Sequence, residues 1–352
     1  MEYRYSRLVK PASHDKEGLC NGIPLRVHQD IDVEEAGIIR LRNDWRRYTG
    51  SLPLASLGGS MGPIYNFTSA IIPECHPSRL EIVSYVMELG FLHDDLIDAS
   101  KDNELMASLN RNVNKLGGNG CLSGKEALQS KAVNEMMSID TLQAKEMIAY
   151  WTKGVGLGLG RGQTQFFDFE DYLEYRVVDC GSFFVTALIT FGMCLTIPPE
   201  EKEECFSLTR PAWAAAALTN DIQSWDKEYR LMKMQDKVNL VNGIWVLMKQ
   251  YSIDVEKAKS LVVQRIQQSV ADYLTNLKSI HTRNNLSLDS RRYIEATQYA
   301  VSGNLHWGMS TPRYHSDRSL TDSQIARMEN AQLGHSAQPS TDQVGETHDT
   351  KN

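Results

Sequence analysis

SRLEIVSYVMELGFLHDDLID, residues 78–98, is the stretch whose reading decides the fold. Ser78 can cap the start of a helix, and Leu80, Val83, Met87 and Phe91 recur along one face at the 3.6-residue period. The same period dominates the rest of the chain, and alternating strand patterns are scarce. Further helices are expected near 34–48, 124–137, 138–159, 166–196, 199–229, 237–251, 255–278 and 287–301. Breaks are expected at Gly117-Gly118-Asn119-Gly120, at Pro198-Pro199 and around Asn284-Asn285. No segment repeats at a fixed period. The expected architecture is all-α.

The stretch ends in an acidic cluster, Asp94-Asp95-Leu96-Ile97-Asp98. Each helical residue turns by ~100°, so Asp94 and Asp98 lie about 40° apart on one face. Like charges at that spacing repel, and a helix C-terminus is a poor place for acids. Phe91 and Leu92 put the cluster beside apolar surface, where carboxylates need a compensating cation. Hard oxygen ligands suit Mg²⁺. A solvated helix end is the simpler alternative.

A second cluster, Asn220-Asp221-Ile222-Gln223-Ser224-Trp225-Asp226-Lys227-Glu228, closes another helix-patterned segment. Asn220, Ser224 and Glu228 stand at i, i+4 and i+8, an oxygen-bearing stripe on one face. Amide, hydroxyl and carboxylate can share one octahedral Mg²⁺. Lys227 adds a cation that can reach a phosphate. The alanine run before it, Ala214 to Ala217, permits close helix packing. Together the two clusters read as opposite walls of a magnesium site that grips a diphosphate.

The 352 residues suffice for one large domain or two ordinary ones, and 41% are hydrophobic. A net charge of -7 argues against wholesale nucleic-acid binding. The polar opening MEYRYSRLVKPASHD is no secretory signal. The longest apolar run, about 182–197, falls short of the ~20 residues that cross a bilayer. The six cysteines (Cys20, Cys75, Cys121, Cys180, Cys194, Cys205) contain no C-x-x-C pair and read as thiols of a reducing, cytoplasmic protein. Residues 316–352 hold no aromatic residue and six acids against three bases. They read as a disordered tail. The pattern is compatible with a homo-oligomer and does not specify one.

At these motifs the chain resembles class I terpene cyclases, and more closely the N-terminal cyclase domain of fungal chimeric di- and sesterterpene synthases. GLCNGIPLRVH, NDWRRYTG, PECHPSRLEIVSYVMELGFLHDDLID and NDIQSWDKE carry the likeness, which covers roughly residues 3–314. It implies a class I terpene synthase helical bundle around a central apolar cavity. It assigns residues 1–315 to the cyclase domain and makes 316–352 a linker to a missing prenyltransferase domain. It implies two Mg²⁺ on Asp94 (chiefly), Asp95 and Asp98, and a third on Asn220, Ser224 and Glu228. Arg176 matches the diphosphate-sensing arginine, with Asp179 as its linker. Cys180 stands where the family usually has a small effector residue, with Gly181 following, and which backbone carbonyl acts there stays open. Arg313-Tyr314 match a late pair that closes over the diphosphate.

The implied reaction is ionisation and cyclisation of geranylgeranyl (C20) or geranylfarnesyl (C25) diphosphate. Phe67, Phe91, Phe183, Phe184 and Trp307 are candidate cation-stabilising faces. Tyr65 and Met87 are candidate wall residues. An ordinary core role competes for each of the seven. Rival readings are a chain-elongating polyprenyl diphosphate synthase, whose second motif would be another Asp-rich cluster, and a non-catalytic isoprenoid binder. Gly154–Gly160 is glycine-rich but lacks G-x-G-x-x-G, and reads as a close helix contact. His93 with His76 raises a metal phosphohydrolase. Arg40, Arg42, Arg46 and Arg47 read as a solvated helix face.

Overall fold

The computed structural model describes residues 2–10, 18–50, 59–99, 124–159 and 165–336. It is built of helices, with one short antiparallel ladder among the described residues. Strand β1 (Ser6–Leu8) pairs with β2 (Arg26–His28), Ser6 opposite His28. The helices are α1 (Ile31–Thr49), α2 (Phe67–Ile71), α3 (Pro77–Ala99), α4 (Lys125–Ile139), α5 (Thr141–Leu159), α6 (Phe169–Asp179), α7 (Ser182–Gly192), α8 (Lys202–Met234), α9 (Gly243–Tyr251), α10 (Val255–Ser279), α11 (Leu288–Ala296), α12 (Gln298–Gly308) and α13 (Asp322–Ser336). No helix among the described residues is long and apolar enough to cross a membrane.

Local chemistry sets several of these boundaries. Asp168 caps α6 by accepting from the Asp171 amide at 2.9 Å, and Asp254 caps α10 through Lys257 at 2.8 Å. The expected single helix over 166–196 is two. Gly181 sits at φ +82°, a left-handed conformation that glycine adopts without strain, and the axis breaks between α6 and α7. The helix expected over 287–301 is also two, α11 and α12. The one expected over 237–251 starts only at Gly243. Gly154–Leu159 close α5, and what their side chains meet lies outside the described residues.

Helices α3 and α8 are the two long walls. α3 packs on α1 and α7, while α8 packs along α10 and against α6 and α12. The Ala212–Leu218 face of α8 is buried, as the small residues there anticipate. Gly90 brings α3 close to α7, because a Cβ there would stand 2.8 Å from the Phe184 ring. The N-terminal segment is clasped by Glu74, whose carboxylate accepts from the amides of Arg4, Tyr5 and Ser6 at 2.8, 3.2 and 3.0 Å. The Tyr299 hydroxyl on α12 donates to that of Tyr3 at 2.9 Å.

Two expectations for the polar residues are corrected. Arg42 is not on a solvated face: it is buried, and its Nε donates to the fully buried Glu88 at 2.7 Å. Arg40 lies half-buried, paired with Glu135 and Glu81. Glu88 also holds the amide and hydroxyl of Ser60, so the arginine supplies the charge its burial demands. The tail is the second correction. A compact unit ends at Leu320, and the next unit, from Thr321, carries α13 where no structure was expected. The reason is a capping box: Thr321 Oγ1 accepts from the Gln324 amide at 3.3 Å, and Gln324 Oε1 accepts from the Thr321 amide at 3.0 Å. Residues 337–352 lie outside the described ones.

Glu34 on α1 is wholly buried against Ser69, and burial pushes its carboxyl up to about 7. Its folded pKa exceeds its unfolded one. Its contribution to stability is therefore fully present below about pH 4.5 and lost as pH rises through about 7. Glu34→Gln should remove that slope. Its stability relative to the parent should improve by up to ~3 kcal/mol between pH 4.5 and 8, read by urea unfolding at each pH. Parallel stability curves would refute the assignment.

Candidate functional site

The C-terminal end of α3 faces the middle of α8 across a polar seam. Asp94 and Asp95 are consecutive on α3, yet differ sharply: the Asp94 side chain is 61% exposed and that of Asp95 is 0% exposed. The guanidinium of Arg313, in the segment after α12, spans both. Its two terminal nitrogens donate to Asp95 Oδ1 at 2.6 Å and to Asp94 Oδ2 at 2.7 Å. Lys227 Nζ on α8 stands 3.8 Å from Asp95 Oδ1. Asp98 lies on α3, but its side chain is outside the described residues. Where the sequence paired Asp94 with Asp98, the structure puts Asp95 at the buried centre. Its Oδ2 has no hydrogen-bond partner.

The second wall is ordered through Arg176 at the end of α6. Nε donates to Asp221 Oδ1 at 2.9 Å, and the terminal nitrogens donate to Asp179 Oδ2 and Asn220 Oδ1, each at 2.8 Å. Three of the five N–H groups of a guanidinium are thus used for orientation. Asn220 Nδ2 donates to the Tyr314 hydroxyl at 2.6 Å, and Ser224 Oγ donates to the Asn220 carbonyl at 2.7 Å. Glu228 accepts from Asn242 Nδ2 at 3.0 Å. Arg313 and Tyr314, adjacent in sequence, therefore bind opposite walls. This is what brings the two acidic clusters into one site.

The electrostatics describe a site short of positive charge. Burial raises the carboxyl of Asp95 against the pull of Arg313 and Lys227. Burial likewise raises Glu228 despite Arg176 and the bond from Asn242. Tyr314 is pushed up to about 12, again by burial. Arg176 itself ends well above its ordinary value: burial would lower it, but Asp221, with Tyr172 and Asp179, prevails. Among the described residues no three His, Cys, Asp or Glu groups form a cluster that could hold a metal. The oxygens on offer are two carboxylates on one wall and amide, hydroxyl and carboxylate on the other. That hard donor set, with the orphaned Asp95 Oδ2, fits divalent magnesium.

The aromatic candidates divide. Phe67, Phe91 and Trp307 form an edge-to-face trio with centroids 5.0, 4.8 and 5.3 Å apart. The trio adjoins the polar seam, since Arg313 lies over Phe91 at 5.1 Å and Tyr314 meets Trp307 edge-on at 5.6 Å. Met87, buried, stands one turn before Phe91. Tyr65 is half-buried, and its carbonyl would be 2.3 Å from a Cβ on Gly62. Phe184 packs on Gly90 and Trp151. Phe183 stacks on Phe206 with Lys153 over its ring, and makes no ring contact with the trio. Cys180 is half-buried, its thiol turned to the Val177 carbonyl at 3.3 Å.

His76 lies at the start of α3, bonded to Ser78, about 25 Å along the helix from His93. That separation removes the phosphohydrolase reading. Three participants were not read from sequence. Asp221, fully buried, accepts from Arg176, from the Tyr172 hydroxyl and from the Gly243 amide. Tyr172 precedes Arg176 by one turn, and that i, i+4 spacing was the available signal. Asn242 gave none, because its partners are 14 and 21 residues away.

The family model for terpene synthase family 2, C-terminal metal binding, matches residues 85–272. Phomopsene synthase of Phomopsis amygdali is 51% identical over 336 residues, covering 93% of this chain and 46% of that protein. A bifunctional type I diterpene synthase of Aspergillus flavipes is 38% identical over 336 residues, covering 94% and 44%. The chain thus spans just under half the length of these curated relatives. Aristolochene synthase from Penicillium roqueforti has the same fold, with a TM-score of 0.62 at 17% identity over 78% of this chain and 95% of that one. Both walls of the site fall inside the matched region, and the chain belongs to terpene synthase family 2, the class I terpene synthases whose shared segment binds metal.

Proposed function

We propose that this chain cyclises a linear C20 or C25 polyprenyl diphosphate, releasing diphosphate and a polycyclic terpene hydrocarbon. The observation that carries this is the Arg313-Tyr314 pair, one side chain on Asp94 and Asp95, the next on Asn220. A diphosphate is the anion that both walls, joined through cations, would clasp. Asp94, Asp95 and Asp98 would hold two Mg²⁺ ions, and Asn220, Ser224 and Glu228 a third. When bound, these ions supply charge stabilisation to the departing diphosphate.

The protein's own groups do the rest. Arg176 keeps two N–H groups for phosphate oxygens, held in place by the three it spends on Asp221, Asp179 and Asn220. Arg313, Lys227 and Tyr314 donate from the other sides. As the allylic C–O bond breaks, these donors meet charge where it develops. The prenyl chain lies against Phe67, Phe91 and Trp307, whose faces stabilise the cation by ~0.5–2 kcal/mol each. The apolar wall keeps water from it. We further propose that a prenyltransferase domain accompanies this unit, supported by the bifunctional relative and by the lengths of the relatives.

The test is incubation with farnesyl, geranylgeranyl and geranylfarnesyl diphosphates plus Mg²⁺, followed by mass spectrometry of extracted hydrocarbons. The expected result is cyclic hydrocarbon and free diphosphate from the C20 or C25 substrate without added isopentenyl diphosphate. EDTA should stop the reaction and excess Mg²⁺ restore it. Longer prenyl diphosphates made only with isopentenyl diphosphate would indicate chain elongation. Substrate binding without diphosphate release would indicate a binder. Turnover in EDTA would contradict the metal assignment.

A further inference from the structure

Asn242, fully buried just before α9, makes three bonds with one amide. Its Oδ1 accepts from the Ile244 amide at 3.0 Å and starts the helix. Its Nδ2 donates to Glu228 Oε2 at 3.0 Å and to the Asp221 carbonyl at 2.9 Å. The next residue extends the grip: the Gly243 amide donates to Asp221 Oδ2 at 2.9 Å. A Cβ on Gly243 would sit 3.0 Å from that oxygen and 3.2 Å from the rings of Phe169 and Tyr172. The start of α9 therefore holds Glu228 directly, and holds Arg176 through Asp221.

Capping alone does not explain the residue. Ser, Thr and Asp cap a helix about as well as Asn. None of them can accept at the cap while donating twice from the same side chain; Asn does. Ser224, one turn earlier on the same helix, also bonds the Glu228 carboxyl, but the last torsion of a glutamate has broad minima, and Asn242 adds a hold from outside that helix. We infer that Asn242 is a positioning residue that fixes the Glu228 carboxylate in its metal-facing orientation. The inference rests on the function proposed above.

Asn242→Ser and Asn242→Thr both keep a cap and remove the Nδ2 group that donates to Glu228 and to the Asp221 carbonyl. The parent and both variants are melted with inorganic diphosphate while Mg²⁺ is titrated, with no prenyl substrate present. The parent should be stabilised by the pair of ions. Both variants should melt within a few degrees of the parent without ligand, yet need at least ~10-fold more Mg²⁺ for half the shift. With geranylgeranyl diphosphate, the same rise should appear in the Mg²⁺ dependence of kcat, with KM at saturating Mg²⁺ near the parent's. A Mg²⁺ midpoint within twofold of the parent in either folded variant overturns the inference. So does collapse of both variants, which would make Asn242 a fold residue only. A parent that shows no metal-dependent shift would instead count against the proposed function itself.

Discussion

Asp94→Ala and Asn220→Ala should each slow diphosphate release by at least ~10³-fold, about 4 kcal/mol of transition-state stabilisation, with the helical circular-dichroism spectrum unchanged. The two sites reach that loss differently. Asp94 is the exposed member of its pair, so its removal costs the fold little and withdraws one carboxylate from the first wall. Asn220 is a joint: its amide accepts from Arg176 and donates to Tyr314. Alanine there deletes a proposed oxygen ligand and frees Arg176 and Tyr314 from the amide that orients them. Steady-state release of diphosphate at saturating Mg²⁺ is the measurement. A rate within tenfold of the parent in either variant would mean that the clusters are not the reacting site.

Arg176→Ala should be the most damaging substitution to the fold as well as to turnover. Arg176 is buried and bonded to a wholly buried Asp221. Without it Asp221 keeps the Tyr172 hydroxyl and the Gly243 amide but loses its cation. Breaking a buried pair from one side typically costs ~3–5 kcal/mol, because the remaining charge stays out of water. Arg176→Lys should recover little, since one ammonium cannot reproduce three divergent N–H bonds. Equilibrium unfolding in urea reads the loss, and a change below about 1 kcal/mol would show that Asp221 is satisfied by neutral partners. Removing the partner in an Arg176→Ala, Asp221→Asn double variant should return part of the stability.

Much of this arrangement is legible from residue spacing. Helix α3 announces itself through Leu80, Val83, Met87 and Phe91, and the oxygen stripe of α8 through Asn220, Ser224 and Glu228. Both depend on periodicity within one element, which a sequence displays directly. The break at Cys180-Gly181 was hidden because Val177, Phe183 and Leu188 continue an apolar pattern across it. Only the glycine marks the turn. Burial of charge was equally hidden. Nothing near Glu34, Glu88 or Arg42 distinguishes them from solvated residues of an amphipathic helix; their partners Ser69, Ser60 and Glu88 lie far along the chain. Asp95 was legible as one of an acidic pair but not as its enclosed member, since that is settled by packing and by Arg313, more than two hundred residues later. The helix at Asp322 could have been read, because Thr321 and Gln324 stand at capping-box spacing.

A single peptide link separates the side chain anchored on α3 from the one anchored on α8. A backbone displacement large enough to lift Arg313 off its aspartates would also carry the Tyr314 phenol, so one short segment ties both walls.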